Sequence, residues 1–290
     1  MSARADTQVR PYEINDSLCP GRRFWLRVLT TLSIIIVSFN AAADLGRCLE
    51  SLHAAPPRVP HEIVIVDNAS TDASVATARR WPGDRVIVNE KNAGFAAANN
   101  IGIRASTGEY LLLLNSDTLV PAGAIDRLLA LLEQRPDAAV IGPRLVDGVG
   151  RAELSFGRTL GPFNELRQKV RSRRPALVES LTRRPHAPDW VSGACLLVRR
   201  SDAEAVGLID ERFFMYCEDV DFCVAMRARG RAVLFTPDVE IVHLRGRSAL
   251  SAPAATNRAY RRSRLAYYAK HRPAWAPFLR LYWRLRGQTP

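Results

Sequence analysis

An aromatic and apolar run, Phe213-Phe214-Met215-Tyr216-Cys217, leads directly into Glu218-Asp219-Val220-Asp221. Three carboxylates crowd into four positions. Like charges this close raise one another's proton affinity, and they persist at a cost unless a cation or a proton-transfer task compensates. Asp219 is therefore a candidate general base, since transfer to a hydroxyl needs a carboxylate within hydrogen-bond reach of the acceptor. Its neighbours titrate with it, so the pKa belongs to the group. A structural reading competes. Glu218 and Asp219 would then open a helix, where acids complement the dipole, and Asp221 would pair with Arg227 or Arg229.

A second acidic site, Leu114-Asn115-Ser116-Asp117, closes an apolar run upstream. A carboxylate beyond a buried strand can hold Mg²⁺ or Mn²⁺, which take oxygen ligands and share them with substrate phosphates. The ion would neutralise a departing diphosphate. Asn-Ser-Asp-Thr before Pro121 is equally good turn chemistry. Asp67 and Asn68 end another apolar run and suit a base or ribose, or else an Asx turn with Ser70 capping the next helix. Asn92, Asn99 and Asn100 flank a helix start at Gly94, which could aim its N–H groups at a nucleotide or serve tight packing. His243 precedes Leu244-Arg245-Gly246-Arg247. It is a metal ligand or a structural histidine, and the two arginines could clamp phosphate.

These residues need elements to hold them. Leu32 to Ser38, Glu62 to Asp67, Val86 to Val88, Tyr110 to Leu114 and Ala138 to Ile141 are short apolar, β-branched runs that read as buried strands. Between them Asp44 to His53, Ser70 to Trp81, Gly94 to Ala105 and Ala124 to Gln134 read as helices. Strand–helix alternation predicts an α/β fold with a mostly parallel sheet covered on both faces. Ligands bind such sheets beyond the carboxyl ends of the strands, where Ser38-Phe39-Asn40, Asp67-Asn68 and Asn115-Ser116-Asp117 all fall. Residues 158 to 188, rich in Arg and Pro, read as a mobile connection. Trp190 to Val198 reads as one strand, Ser201 to Val206 and Asp219 to Arg229 as helices, and Ala232 to Phe235 and Glu240 to His243 as two strands.

The division that follows is a lead-in over 1–30 with little order, a main domain over 31–250 and a basic aromatic segment over 251–290. Within the main domain the nucleotide half covers about 31–142 and the acceptor half about 150–250. No run reaches the roughly 18 apolar residues of a spanning helix. The lead-in lacks the apolar core of a signal peptide, being interrupted by Asp6, Glu13 and Asp16. Five cysteines without CxxC pairing point to a reduced, cytoplasmic setting.

The net charge of +12 is local: nine Lys or Arg and no acid lie between Arg258 and Pro290, among Tyr260, Tyr267, Tyr268, Trp275, Phe278, Tyr282 and Trp283. Such a segment suits an anionic membrane surface, each cation contributing on the order of 1 kcal/mol. The same aromatics could stack on nucleic-acid bases, or fill the core of a solvated helix pair.

Taken in order, Ile34 to Asn40, Val64 to Asp72, Asn92 to Asn100, Leu112 to Asp117, Trp190 to Cys195, Phe213 to Asp221 and His243 to Ser248 resemble the motifs of family-2 glycosyltransferases with a GT-A fold, particularly the bacterial rhamnosyltransferase-like branch. The resemblance covers about residues 32 to 248. It implies inverting transfer from a nucleotide-activated sugar, assisted by divalent Mg or Mn. By position, Ser38, Asn40 and Asp67 would contact the nucleotide, joined by Asn92, Asn99 and Asn115. Asn115-Ser116-Asp117 matches the family's DxD with its first acid replaced, leaving Asp117 and His243 for the metal. Asp219 matches the acid that acts as base. Trp190, Ser192, Gly193, Ala194 and Glu218 would line the sugar and acceptor pocket.

The expected donor is dTDP-rhamnose ahead of a UDP- or GDP-sugar, and the acceptor a lipid-linked or polysaccharide hydroxyl in cell-envelope glycan synthesis. The enzyme would sit peripherally on the inner face of the cell membrane through residues 258–290. Two rivals exist. A nucleotidyltransferase would share the metal acid, but no Gly-rich basic loop follows Ser38 to cradle a triphosphate. A non-catalytic nucleic-acid-binding protein would explain the basic tail but not the acids at both sites.

Overall fold

Leu32–Ser38 (β1) is buried along its whole length, as an apolar run covered on both faces must be. A computed structural model describes residues 31–244 and 253–288. The leading 30 residues, with Cys19, and the pair Arg245 and Arg247 lie outside the described residues. After β1 come Ala42–Ala54 (α1), His61–Asp67 (β2), Ser74–Ala78 (α2), Arg85–Val88 (β3), Phe95–Arg104 (α3) and Tyr110–Asn115 (β4). The short strand Thr118–Leu119 (β5), Ala124–Glu133 (α4) and Ala138–Val146 (β6) follow. The alternation predicted from the apolar runs is present throughout this half.

One eight-stranded sheet has the order β3-β2-β1-β4-β9-β6-β10-β5, where β9 is Cys195–Arg199 and β10 is Ala232–His243. β1 pairs in parallel with both β2 and β4, so the chain winds outward in opposite directions from the boundary between β1 and β4. A crevice opens at such a reversal. β9 is antiparallel to β4 and β6, while β10 runs parallel to β6. One core layer lies under α1 and α4, with Leu45, Cys48, Leu49 and Leu52 buried as their helical spacing predicts. The other lies under α3 and Glu218–Ala228 (α8), which turns Phe222, Cys223 and Met226 inward.

Three expectations are corrected in the second half. Residues 158 to 188 hold two helices, Pro162–Ser172 (α5) and Pro175–Leu181 (α6), each with Pro in its first turn where no hydrogen bond is lost. The stretch from Trp190 is two strands, Trp190–Val191 (β8) and β9, because β8 leaves the main sheet to pair with Phe156–Gly157 (β7). Ala232 to His243 is one long strand whose register slips between Thr236 and Glu240, so the apparent break is an irregularity within it. Arg200–Ala205 (α7) is the short helix expected near Ser201.

The C-terminal helices, Pro253–His271 (α9) and Ala276–Leu285 (α10), pack onto the acidic motif. Tyr267, Tyr268, Leu279 and Trp283 form a third buried cluster with Phe213, Cys217 and Val220. These three aromatics of the basic segment are core residues, whereas Tyr260, Trp275, Phe278 and Tyr282 are exposed.

Candidate active site

Register builds the donor edge. Ser38 stands opposite Asp67, and Val37 opposite Asn115, at the carboxyl ends of β1, β2 and β4. Ser38 Oγ, Asp67 Oδ1 and Asn115 Oδ1 are each buried without a hydrogen-bond partner in the protein. An unpaired buried polar atom costs about 1–3 kcal/mol. Three along one edge match a seat for a polar ligand. The other Asp67 oxygen accepts from the Ser70 N–H at 2.9 Å, which fixes the plane of the carboxylate.

The expected asparagines already hold partners within the protein. Asn40, at φ 48°, accepts from the Thr71 N–H at 2.8 Å, and its own N–H donates to Ser70 Oγ at 2.9 Å. Buried Asn68 donates to Asn92 Oδ1 at 2.8 Å and accepts from the Ala93 N–H and from Asn89. Asn92 Oδ1 also accepts from the Gly94 N–H at 2.9 Å. Asn99 donates to Phe95 O, and Asn100 donates to Ile209 O and Glu211. Nor does α3 direct its first N–H at a ligand: Phe95 N–H donates to Phe214 O at 2.6 Å. Gly94 makes that seat, at φ +88° and with a Cβ there falling 2.5 Å from Phe214 O. These residues latch loops together.

The proposed metal acid and histidine do meet. β5 pairs antiparallel with β10, setting Thr118 against His243. Asp117 Oδ1 lies 3.3 Å from His243 Nε2, and Glu153 Oε2 lies 3.2 Å from Nδ1. Burial opposes the imidazolium, but both carboxylates favour it more strongly, and the His243 pKa is pushed up to about 9. Asn115 Nδ2 lies 3.5 Å from the same Nε2. Among the described residues no three His, Cys, Asp or Glu side chains converge on a common metal position. A smaller donor set suits a divalent cation: Asp117, joined by His243 once its proton is displaced, leaving positions for phosphate oxygens. Glu153, which orients His243 from behind, was invisible in sequence. A lone glutamate after Gly150 has no spacing that marks it.

Asp219 sits where an irregular turn aims it. Tyr216 and Cys217 both take left-handed conformations, φ 72° and 68°, just before α8. Such residues cost about 1–3 kcal/mol each and persist where packing over-determines them. Asp219 Oδ2 accepts from the Gly193 N–H at 3.1 Å, and Oδ1 from the Val220 N–H at 2.8 Å. Burial raises the Asp219 pKa against these two hydrogen bonds. Glu218 is raised by burial and then by the charge of Asp219, and its Oε2 has no partner.

A single turn joins the two edges. Gly193 reaches Asp219, while the next carbonyl, Ala194 O, accepts from the Asn115 N–H at 2.9 Å. Ser192 N–H donates to Ser155 O, and its hydroxyl accepts from the Ala194 N–H. Trp190 is half-buried, its indole N–H donating to Arg158 O and its ring lying against Gly157.

Asp221 does not pair with Arg227 or Arg229. It binds Lys270 at 2.8 Å and His271 at 2.6 Å, both at the end of α9, and Lys270 also reaches Asp210 at 2.8 Å. Arg227 pairs with Asp189 instead. Those partners are remote in sequence, so spacing along α8 could not reveal them.

The sequence matches the family model for glycosyl transferase family 2 over residues 33–206. It is 32% identical over 282 residues to an N-acetylglucosaminyl-diphospho-decaprenol L-rhamnosyltransferase of Mycobacterium tuberculosis, covering 88% of this chain and 89% of that one. The low-salt glycan biosynthesis hexosyltransferase Agl10 of Haloferax volcanii is 26% identical over 247 residues, covering 80% and 72%. Mannosyltransferase PcManGT from Pyrobaculum calidifontis, solved with GDP-Man and Mn²⁺, superposes with a TM-score of 0.60 at 20% identity, over 86% of this chain and 67% of that one. TarS of S. aureus gives 0.59 at 15% identity, over 83% and 39%. At such identities the structural likeness concerns the fold, and the expected GT-A arrangement is borne out.

Proposed function

This chain belongs to glycosyl transferase family 2, and we propose that it is an inverting, metal-dependent enzyme of cell-envelope glycan synthesis. The donor is a nucleotide diphosphate sugar, dTDP-rhamnose ahead of UDP- or GDP-sugars. The acceptor hydroxyl belongs to a lipid-linked glycan presented at the inner face of the membrane. The named activity of the mycobacterial relative supports a rhamnosyl donor and a lipid-linked acceptor. One observation carries the reading: Gly193-Ala194 ties Asp219 to Asn115, so the candidate base and the unpaired strand-end atoms share one crevice.

In this reading residues 31–142 seat the donor and residues 150–250 the acceptor. Ser38, Asp67 and Asn115 bind the nucleotide with their free oxygens. Asp117 and His243 hold Mg or Mn, with Glu153 orienting the imidazole. The ion supplies positive charge to the departing diphosphate. Asp219 takes the proton of the acceptor hydroxyl as its oxygen attacks the anomeric carbon from the face opposite the diphosphate. The Gly193 N–H keeps one Asp219 oxygen oriented, and Glu218 and Trp190 shape the wall beside it. Asn40, Asn92 and Asn99 act indirectly, by holding the loops that frame the donor.

The test is a panel of nucleotide sugars with Mg²⁺ or Mn²⁺, read by thermal shift and nucleoside diphosphate release. Metal-dependent release from dTDP-rhamnose above the others is expected. A folded protein silent across the panel would refute the assignment.

A further inference from the structure

The C-terminal segment buries Tyr267, Tyr268 and Trp283, so it cannot present those rings to a membrane. What it leaves outside is narrower. On α10, Phe278, Leu281 and Leu285 are 66%, 53% and 80% exposed, at helical spacing opposite the buried Leu279 and Trp283. A second stripe lies on α5, where Phe163, Leu166 and Val170 are 75%, 61% and 44% exposed. Two unpartnered amphipathic helices of one chain call for an occupant, because soluble surfaces rarely carry such stripes side by side.

They are held side by side. Arg264 of α9 ion-pairs with Glu165 of α5, and its guanidinium lies 5.8 Å from the Trp283 ring of α10. Tyr268 of α9 also donates to Glu165 at 2.7 Å. Glu165 and Trp283 therefore mark the sides of α5 and α10 that meet Arg264, and the exposed stripes stand on other sides of the two helices.

Charge selects the occupant. Arg167 and Lys169 interleave with the α5 stripe, Arg171, Arg173 and Arg174 follow it, and the acid Glu165 is already neutralised. α10 carries Arg280 and Arg284, followed by Arg286, with no acid. Between α9 and α10 a groove of about 340 Å³ is walled by Leu265, Ala266 and Ala269 and flanked by Arg262 and Arg280. Leu166, Val170, Leu281 and Leu285 have no ring to stack on a base, so they match acyl chains better than nucleic acid.

We propose that α5 and α10 together form a face that docks flat on an anionic lipid bilayer, with their aliphatic and aromatic stripes in the headgroup boundary. This rests on the reading that the acceptor is lipid-linked, and it replaces a basic tail with a two-helix surface. A bilayer engaged on α5 and α10 sits beside the helix whose end binds Asp221, two positions from the candidate base.

The experiment is flotation of the full chain with phosphatidylcholine vesicles, with and without phosphatidylglycerol. Three proteins are compared: the parent, Phe163→Ser/Leu166→Ser/Val170→Ser and Phe278→Ser/Leu281→Ser/Leu285→Ser. The parent should float only with the anionic vesicles, and each triple variant should partition about tenfold less or weaker still. Melting temperatures should match, since all six side chains are exposed. Parent-like flotation of the α5 variant would overturn the two-helix face, as would failure of the parent to float. Tighter, salt-sensitive binding of the parent to RNA than to vesicles would overturn it in favour of nucleic acid. Nucleoside diphosphate release from the donor, measured on the same proteins, separates the two readings: its retention with flotation lost leaves the catalytic assignment standing.

Discussion

The two edges of the crevice are built by opposite means. The donor edge is regular: three parallel strands end in register, and the polar atoms at their ends stay unpaired. The acceptor edge is irregular. Two residues with positive φ, a Gly193 contact and a brace from the C-terminal helix place Asp219. A regular edge can lose a side chain without losing its shape, because backbone hydrogen bonds hold it. The irregular edge has few such bonds, so its geometry depends on particular long-range contacts.

The largest break in this comparison comes from the base itself. Asp219→Asn should lower kcat by roughly 10²–10⁴-fold while nucleotide binding persists, as measured by turnover and by calorimetry. Near-normal turnover would remove Asp219 from that role. In the parent, the raised titration of the buried Glu218 and Asp219 pair should place the acidic limb of kcat/KM above the ordinary carboxylate range of about 4. Stability should run the other way. A raised folded pKa adds stability that is complete below the unfolded value and lost as pH rises through the folded one. Over that window activity should climb while the melting temperature falls, and the Asn variant should lose this part of the slope.

Gly94→Ala probes the seat of the turn. The new Cβ would meet the Phe214 carbonyl in a conformation that L residues rarely adopt, so a loss of about 1–3 kcal/mol is expected in urea unfolding. Turnover should fall with it. A stable, fully active variant would show that the turn seats elsewhere.

Lys270→Met removes one cation from the brace while His271 remains on Asp221. With the ammonium partly exposed, about 1 kcal/mol of stability should be lost. If the brace positions the acceptor edge, kcat should fall with donor affinity unchanged, and Lys270→Arg should recover part of it. Equal loss on both edges would make the contact merely structural.

Ser38→Ala should do least to the fold and most to sharpen the contrast. Its buried hydroxyl has no protein partner, so stability should hold or rise by about 1 kcal/mol, while the donor Kd rises several-fold. Unchanged donor binding would detach Ser38 from the ligand.

Legibility followed the same division. Apolar runs marked β1, β2 and β4 to within a residue, and with them the polar residues at their ends, because burial on both faces leaves a compositional trace. Asn40, Asn68 and Asn92 were as visible, but whether an amide faces a ligand or a neighbouring loop depends on chain folded in from elsewhere. The stretch from 158 to 188 looked mobile because charge and Pro hid two helices, the first of which turns its apolar stripe outward.

Composition and local order were enough for the parallel sheet, the edge at which ligands bind, and the acids at the end of β4 and the start of α8. Each of these follows from what a residue's own neighbours require. Tertiary packing alone decided that Glu153 backs His243, that Asp221 belongs to Lys270 and His271, and that Tyr267 and Trp283 are core. Those partners stand far apart along the chain, and only the folded geometry brings their charges and surfaces within contact range.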